Sequence, residues 1–248
     1  MAKLAAPGES GKEIAEIRAS VRQRRPKLFS FGALFIVIGI LLSVFQQFVG
    51  IDVVLYYATD IFSGMGLSTD AALFHTIIVG AVNMIFTVVI LTVDRFGRRP
   101  LQIFGACVMA ASMIALGPEL WLRGKGVGVL ICMLVYTAAF APSWGPVTRV
   151  LLSEIFPNQI RGNAMVIAVA AQWIANYLVS WSFPILNGNP FLVKHFHHGF
   201  AYWIYAVMSL LALLFVWKTV PETKDRTLEQ MKAIWQTRNN KLRADGPA

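Results

Sequence analysis

Phe45-Gln46-Gln47-Phe48-Val49-Gly50-Ile51-Asp52-Val53-Val54-Leu55-Tyr56-Tyr57 closes an apolar run that begins near Phe31, so two adjacent amides and a carboxylate lie where hydrocarbon is expected. Polar side chains are costly there unless they face a cavity or one another. At 100° per residue Gln46 and Gly50 share a helix face that Val53 and Tyr57 continue, with Gln47 beside it. Gly50 permits a bend or a close approach to the backbone. The stretch therefore predicts a polar floor inside a membrane protein, with a glycine hinge and a tyrosine pair above it.

Composition agrees with that reading. Of 248 residues, 56% are hydrophobic and 14% charged, against about 25% charged in ordinary soluble domains. Segments long enough to cross a bilayer, roughly 20 residues each, occur at about 31–57, 72–93, 101–121, 127–153, 162–184 and 199–219. Six helices put both termini on one side. Seventeen Lys and Arg fall in residues 1–30, the 94–100 and 154–161 loops and the tail from 221, against three in the loops at 58–71, 122–126 and 185–198. By the positive-inside rule both termini are cytoplasmic. The net charge of +9 then follows from topology and attraction to anionic lipid, with no nucleic-acid partner required.

Three segments result: a cytoplasmic lead-in (1–30), a six-helix transmembrane bundle (31–220) and a cytoplasmic tail helix (221–248). In the lead-in, Ser10 and Glu13 read as a capping box before a stripe of Ile14, Ile17 and Val21. That helix either rests on the inner leaflet or docks on the bundle. No hydrophobic core of a cleavable signal is present in residues 1–30. In the tail, Leu228, Met231, Ile234 and Trp235 lie along one side of a short helix.

Asn83, a lone amide in the second span, reads as a helix-to-helix hydrogen bond. In the fourth span, Pro142, Gly145 and Pro146 predict a broken helix, tolerated in a membrane only within packed protein or beside a cavity. Arg149 follows. It either serves function or snorkels to the interface, with four residues still between it and the loop. Gln172 and Asn176, four apart, share a face of the fifth span, and the mid-span depth of Trp173 favours a cavity wall over an interfacial anchor. The loop Asp94-Arg95-Phe96-Gly97-Arg98-Arg99-Pro100 needs Gly97 for its turn. Glu154 and Arg161 are placed to bond each other or the arginines of that loop.

No enzyme is indicated: nucleophile–base pairs, metal sets and phosphate loops are not recognisable. His195, His197 and His198 have no acidic or Cys companion to complete a metal site. Glu13 follows Gly11-Lys12 where a phosphate loop needs Ser or Thr, and Cys107 and Cys132 read as packing residues.

QQFVGI at 46–51, LYY at 55–57, DRFGRRP at 94–100, SWGPV at 143–147, LLSEIFPNQIRG at 151–162, AAQWIANY at 170–177 and PETK at 221–224 resemble, in order, the sugar porter branch of the major facilitator superfamily. The resemblance implies an all-α fold, the carboxyl-terminal six-helix half (a 3+3 inverted repeat) of a twelve-helix transporter in the bacterial inner membrane. It implies a monosaccharide substrate, D-xylose or a related sugar, a proton as coupling ion, no cofactor, and completion by an amino-terminal half or a second copy. The alternative is a non-transporting half-domain that binds sugar or a partner half without flux. By resemblance Gln46, Gln47, Tyr56, Gly145, Gln172 and Trp173 line the sugar pocket, and Asp94, Arg95, Arg98, Arg99, Glu154 and Arg161 form a cytoplasmic charge network that latches the outward-facing state. Asp52 and Arg149 fall at pocket positions where the family usually has Asn and Trp. An acid and a base there can form a buried pair, which puts a neutral pentose in doubt and fits either a carboxylate-bearing substrate or lost activity. The family's proton-coupling carboxylate belongs to the other half, so the resemblance does not assign that role to Asp52.

Overall fold

The computed structural model describes residues 34–64, 66, 68–88, 97–122, 126–157 and 159–224. The helices expected in the lead-in and the tail, together with Asp94 and Arg95, lie outside the described residues. Within them the chain is helical: α1 Leu34–Phe48, α2 Ile51–Tyr56, α3 Ala58–Gly64, α4 Thr69–Val88, α5 Arg98–Trp121, α6 Gly126–Ser143, α7 Gly145–Ile155, α8 Arg161–Gly188, α9 Pro190–Phe196 and α10 Phe200–Thr219. Six helical runs are long and apolar enough to span a membrane: Leu34–Tyr56, Thr69–Val88, Arg98–Trp121, Val127–Ile155, Arg161–Gly188 and Phe200–Thr219. They match the six segments expected from hydropathy, because a span must satisfy its backbone internally over a fixed apolar length.

The core lies between α10 and α5, α5 and α6, and α1 and α8. Small residues permit the closest approach: a Cβ on Gly105 of α5 would lie 2.0 Å from Ser143 Oγ of α6. By contrast α4 and α8 leave much of their length uncovered, with Met84 of α4 70% exposed. Two stretches expected as loops contain short helices, α3 within 58–71 and α9 within 185–198. Asn189 starts α9 by accepting from the amides of Phe191 (2.9 Å) and Leu192 (3.3 Å).

The first and fourth spans are each interrupted. Gly50, at φ +93°, separates α1 from α2, a backbone region that L side chains rarely adopt. The interruption is buried and its polar groups are taken up locally. Gly50 N donates to Gln47 O at 2.9 Å, and the Tyr136 hydroxyl donates to Val49 O at 2.9 Å. The fourth span is interrupted at the single residue Trp144, between α6 and α7 and flanked by Pro142 and Pro146, where the backbone stays right-handed and Trp144 N still donates to Phe140 O at 3.0 Å. The wholly buried Trp144 ring anchors this break, its Nε1 donating to Gln102 O at 3.0 Å. Gln102 Nε2 in turn donates to Thr148 Oγ1 at 3.1 Å.

Candidate functional site

The two breaks meet. Gln46 Nε2 donates to Trp144 O at 2.9 Å and to Gly145 O at 2.8 Å, so the last turn of α1 is pinned to the interruption of the fourth span. Gln46 Oε1 has no hydrogen-bond partner among the described residues. One amide thus spends both donors on the scaffold and leaves its acceptor unspent.

Around this junction lies a cavity of about 590 Å³, within the usual size of small-molecule sites. Its lining comes from four spans. The first gives Gln46, Gln47, Ile51, Asp52, Leu55 and Tyr56; the second Asn83 and Thr87; the fourth Phe140, Ala141, Gly145, Pro146 and Arg149; the fifth Gln172, Trp173 and Asn176. All eight residues expected at a pocket, Gln46, Gln47, Asp52, Tyr56, Gly145, Arg149, Gln172 and Trp173, line this one space. Trp173 is 64% exposed near the middle of α8, so its ring belongs to an open wall and not to the core.

The register of the wall differs from the continuous-helix expectation. An unbroken helix puts Tyr57 on the face of Gln46, yet Tyr57 turns away and only Tyr56, the one the resemblance implies, lines the cavity. The Tyr57 hydroxyl donates to Ser180 O at 3.0 Å and its ring packs on Phe183 at 4.9 Å. The left-handed turn at Gly50 resets the 100° register between α1 and α2, and no periodicity that runs through it can hold.

Asp52 and Arg149 share the cavity without forming an ion pair. Asp52 is nearly buried, and its Oδ2 accepts from Asn176 Nδ2 at 2.7 Å. Asn176 Nδ2 also reaches Gln47 Oε1 at 3.3 Å. Arg149 is exposed and has no hydrogen bond or ion pair among the described residues. An amide bridge therefore replaces the salt bridge that the acid and base suggested. Asn83 also departs from expectation, lining the cavity in place of gluing two helices. A lone amide in a span gives both readings equally, so only the tertiary arrangement tells them apart.

A second polar cluster gathers at the end of the bundle where α5 starts. Arg98 pairs with Glu154 at 3.0 Å, joining the two loops as their charges suggested. Arg161 does not pair with Glu154; its Nε donates to Phe156 O at 3.3 Å. Arg99 donates to Trp217 O at 2.5 Å. Two participants escaped sequence reasoning. Glu222 accepts from the backbone amides of Arg98 and Arg99, both at 3.2 Å, and so supplies the carboxylate for the first turn of α5. Thr223 donates to Glu154 Oε2 at 2.5 Å. Gly97, at φ +86°, makes this possible, since a Cβ there would press on Glu222 Oε2 at 3.0 Å. The signal was present in the Pro-Glu-Thr-Lys run after the last span, which carries an acid among the bases that follow that span.

At the end of the bundle with α9, His195 contacts Phe191 O and His198 contacts Asn187. Among the described residues no group of three His, Cys, Asp or Glu side chains is placed to hold a metal.

Comparison with known proteins gives this geometry a context. A family model described as sugar (and other) transporter matches residues 2–235. The chain is 57% identical over 232 residues to the D-xylose-proton symporter of Escherichia coli (strain K12), covering 92% of this chain and 47% of the symporter. It is 44% identical over 242 residues to the glucose facilitated diffusion protein of Zymomonas mobilis, covering 96% of this chain and 51% of that protein. A solved structure of a proton:xylose symporter bound to 6-bromo-6-deoxy-D-glucose superposes with a TM-score of 0.77 at 56% identity, over 92% of this chain and 49% of that one. The xylose transporter of E. coli in an inward-open conformation gives 0.76 at 51% identity, over 92% and 47%. The chain thus spans about half the length of the curated relatives it matches. With the family model matched from residue 2 to residue 235 and the six-span half-fold shared with solved xylose symporters, the chain belongs to the sugar transporter family, whose members are transporters and not enzymes.

Proposed function

We propose that this chain supplies the carboxyl-terminal half of a sugar:proton symporter of the bacterial inner membrane, with both termini cytoplasmic, and forms one wall of the sugar site. The observation that carries the reading is the cavity at the junction of two interrupted spans, lined by amides and an open indole. Amides suit a polyol because each offers donors and an acceptor to adjacent hydroxyls. In this reading Gln46 Oε1 accepts from a sugar hydroxyl, Gln47 and Gln172 serve others, and the Trp173 ring covers the apolar face of the pyranose. The symporter relatives support D-xylose or a related monosaccharide as substrate and a proton as coupling ion.

Interrupted helices at a midplane site are how secondary transporters hold a fixed site while two halves rock about it. The cluster of Arg98, Arg99, Glu154, Glu222 and Thr223 then acts as a latch at the cytoplasmic end, holding the outward-facing arrangement until the halves move. Arg161, and Asp94 and Arg95 of the adjoining loop, belong to the same proposed network.

A single wall does not close a transport cycle. Reconstituted into proteoliposomes as a strict monomer, the chain shows no proton-gradient-driven D-xylose uptake. Adding a separately produced amino-terminal half of a sugar porter, or enforcing a dimer, restores measurable uptake. Proton-driven uptake by the monomer alone sinks the half-transporter reading.

A further inference from the structure

Arg149 is a charged member of the cavity lining to which this reading gives no task. A guanidinium carries five N–H donors and stays charged at every accessible pH. An ionisable side chain inside a span normally faces the bundle interior or a cavity and pairs with another group there. Arg149 lies within the span Val127–Ile155 and yet makes no hydrogen bond or ion pair among the described residues. The carboxylate in the same cavity is not its partner. Asp52 is nearly buried and held by Asn176, which itself is braced on Gln47. The exposed charge of the cavity is therefore cationic, while its own acid is withdrawn into the wall.

Resting on the assignment of this cavity to sugar, we infer that the site takes a sugar acid: a monosaccharide whose carboxylate is held by Arg149 while the amides engage its hydroxyls. A carboxylate matches the planar fork of a guanidinium with two parallel hydrogen bonds, which a hydroxymethyl group cannot offer. Since Asp52 stays bonded to Asn176, binding the anion breaks no existing ion pair. The Asp52–Asn176–Gln47 bridge then keeps the acid out of the anion's way.

The test compares D-glucuronate with D-glucose, which differ only in carboxylate against hydroxymethyl at C6, with sodium acetate as a carboxylate lacking the sugar. Each is titrated at constant ionic strength into the full chain in detergent, for wild type, Arg149→Lys and Arg149→Gln. Wild type binds D-glucuronate at least about tenfold more tightly than D-glucose. Arg149→Lys keeps part of that ratio, and Arg149→Gln brings it to about one. A wild type that binds D-glucose as tightly as D-glucuronate overturns the sugar-acid inference and leaves the sugar site standing. A preference that survives Arg149→Gln overturns the role of Arg149, and acetate binding as tight as D-glucuronate reduces the site to one for simple carboxylates. No binding of either sugar to a folded, monodisperse chain overturns the sugar site and this inference together.

Discussion

Gln46→Leu removes detectable sugar binding while the chain stays helical. Three functions end at once. The two bonds from Nε2 to Trp144 O and Gly145 O are lost, so α1 is no longer fastened to the break in the fourth span. The buried, unpartnered Oε1 acceptor is lost as well. An apolar side chain of similar length then faces polyol hydroxyls and leaves them unpaired. Unsatisfied buried polar groups cost about 1–3 kcal/mol each, and about 2 kcal/mol already weakens affinity roughly 30-fold. Helix content by circular dichroism holds, because the spans keep their own backbone bonds and their lipid-facing surfaces. Binding within a few-fold of wild type would mean that Gln46 is purely a structural clamp and that its oxygen does not reach the ligand.

The second large effect is at Gly50. Gly50→Ala places a Cβ on a backbone at φ +93° and within 2.7 Å of the Tyr205 ring. A non-glycine residue in such a region costs of order 1–3 kcal/mol, and overpacking a filled site costs about as much. Tyr205 has little room to give, since it is 4% exposed. The combined loss is about 3 kcal/mol, read as a fall of roughly 6–12 °C in thermal midpoint. Gly80→Ala is the matched control, because nothing lies within 4 Å of a Cβ there and its φ is ordinary. Its midpoint should stay near that of wild type. Sugar affinity should fall with stability in Gly50→Ala, as Gln46 and Gln47 precede the turn and Asp52 and Tyr56 follow it. Equal midpoints for the two variants would show that the backbone at 50 is not left-handed.

How much of this was legible from residues alone depended on whether the signal was local. The six spans were, because a membrane demands about 20 apolar residues and the sequence meets that demand six times. The break at Trp144 was announced by Pro142 and Pro146, since proline removes a donor wherever it sits in a helix. Seven of the eight expected cavity residues were legible as polar or aromatic exceptions inside apolar runs, and Gly145 came from the family resemblance. What failed was anything decided across the fold. Tyr57 left the face of Gln46 because one glycine reset the register, while Tyr56 lines the cavity as the family resemblance implied. Asp52 took an amide from α8 in place of the nearby-looking base, a partner 124 positions away. Glu222 caps a helix that starts 124 positions earlier, and no spacing rule links a tail carboxylate to that turn. Asn83 shows the same limit, since glue and cavity wall ask for the same side chain.

In the reading proposed above, the junction of the two interrupted spans is a sugar site. That reading is tested most directly by titrating D-xylose, D-glucose and D-glucuronate into the purified chain in detergent, following tryptophan fluorescence in wild type and in Trp173→Ala. Wild type is expected to give a saturable change with at least one of these sugars, and Trp173→Ala to lose it. A folded, monodisperse wild-type chain that gives no saturable change with any of the three, or a signal that persists unchanged in Trp173→Ala, contradicts it.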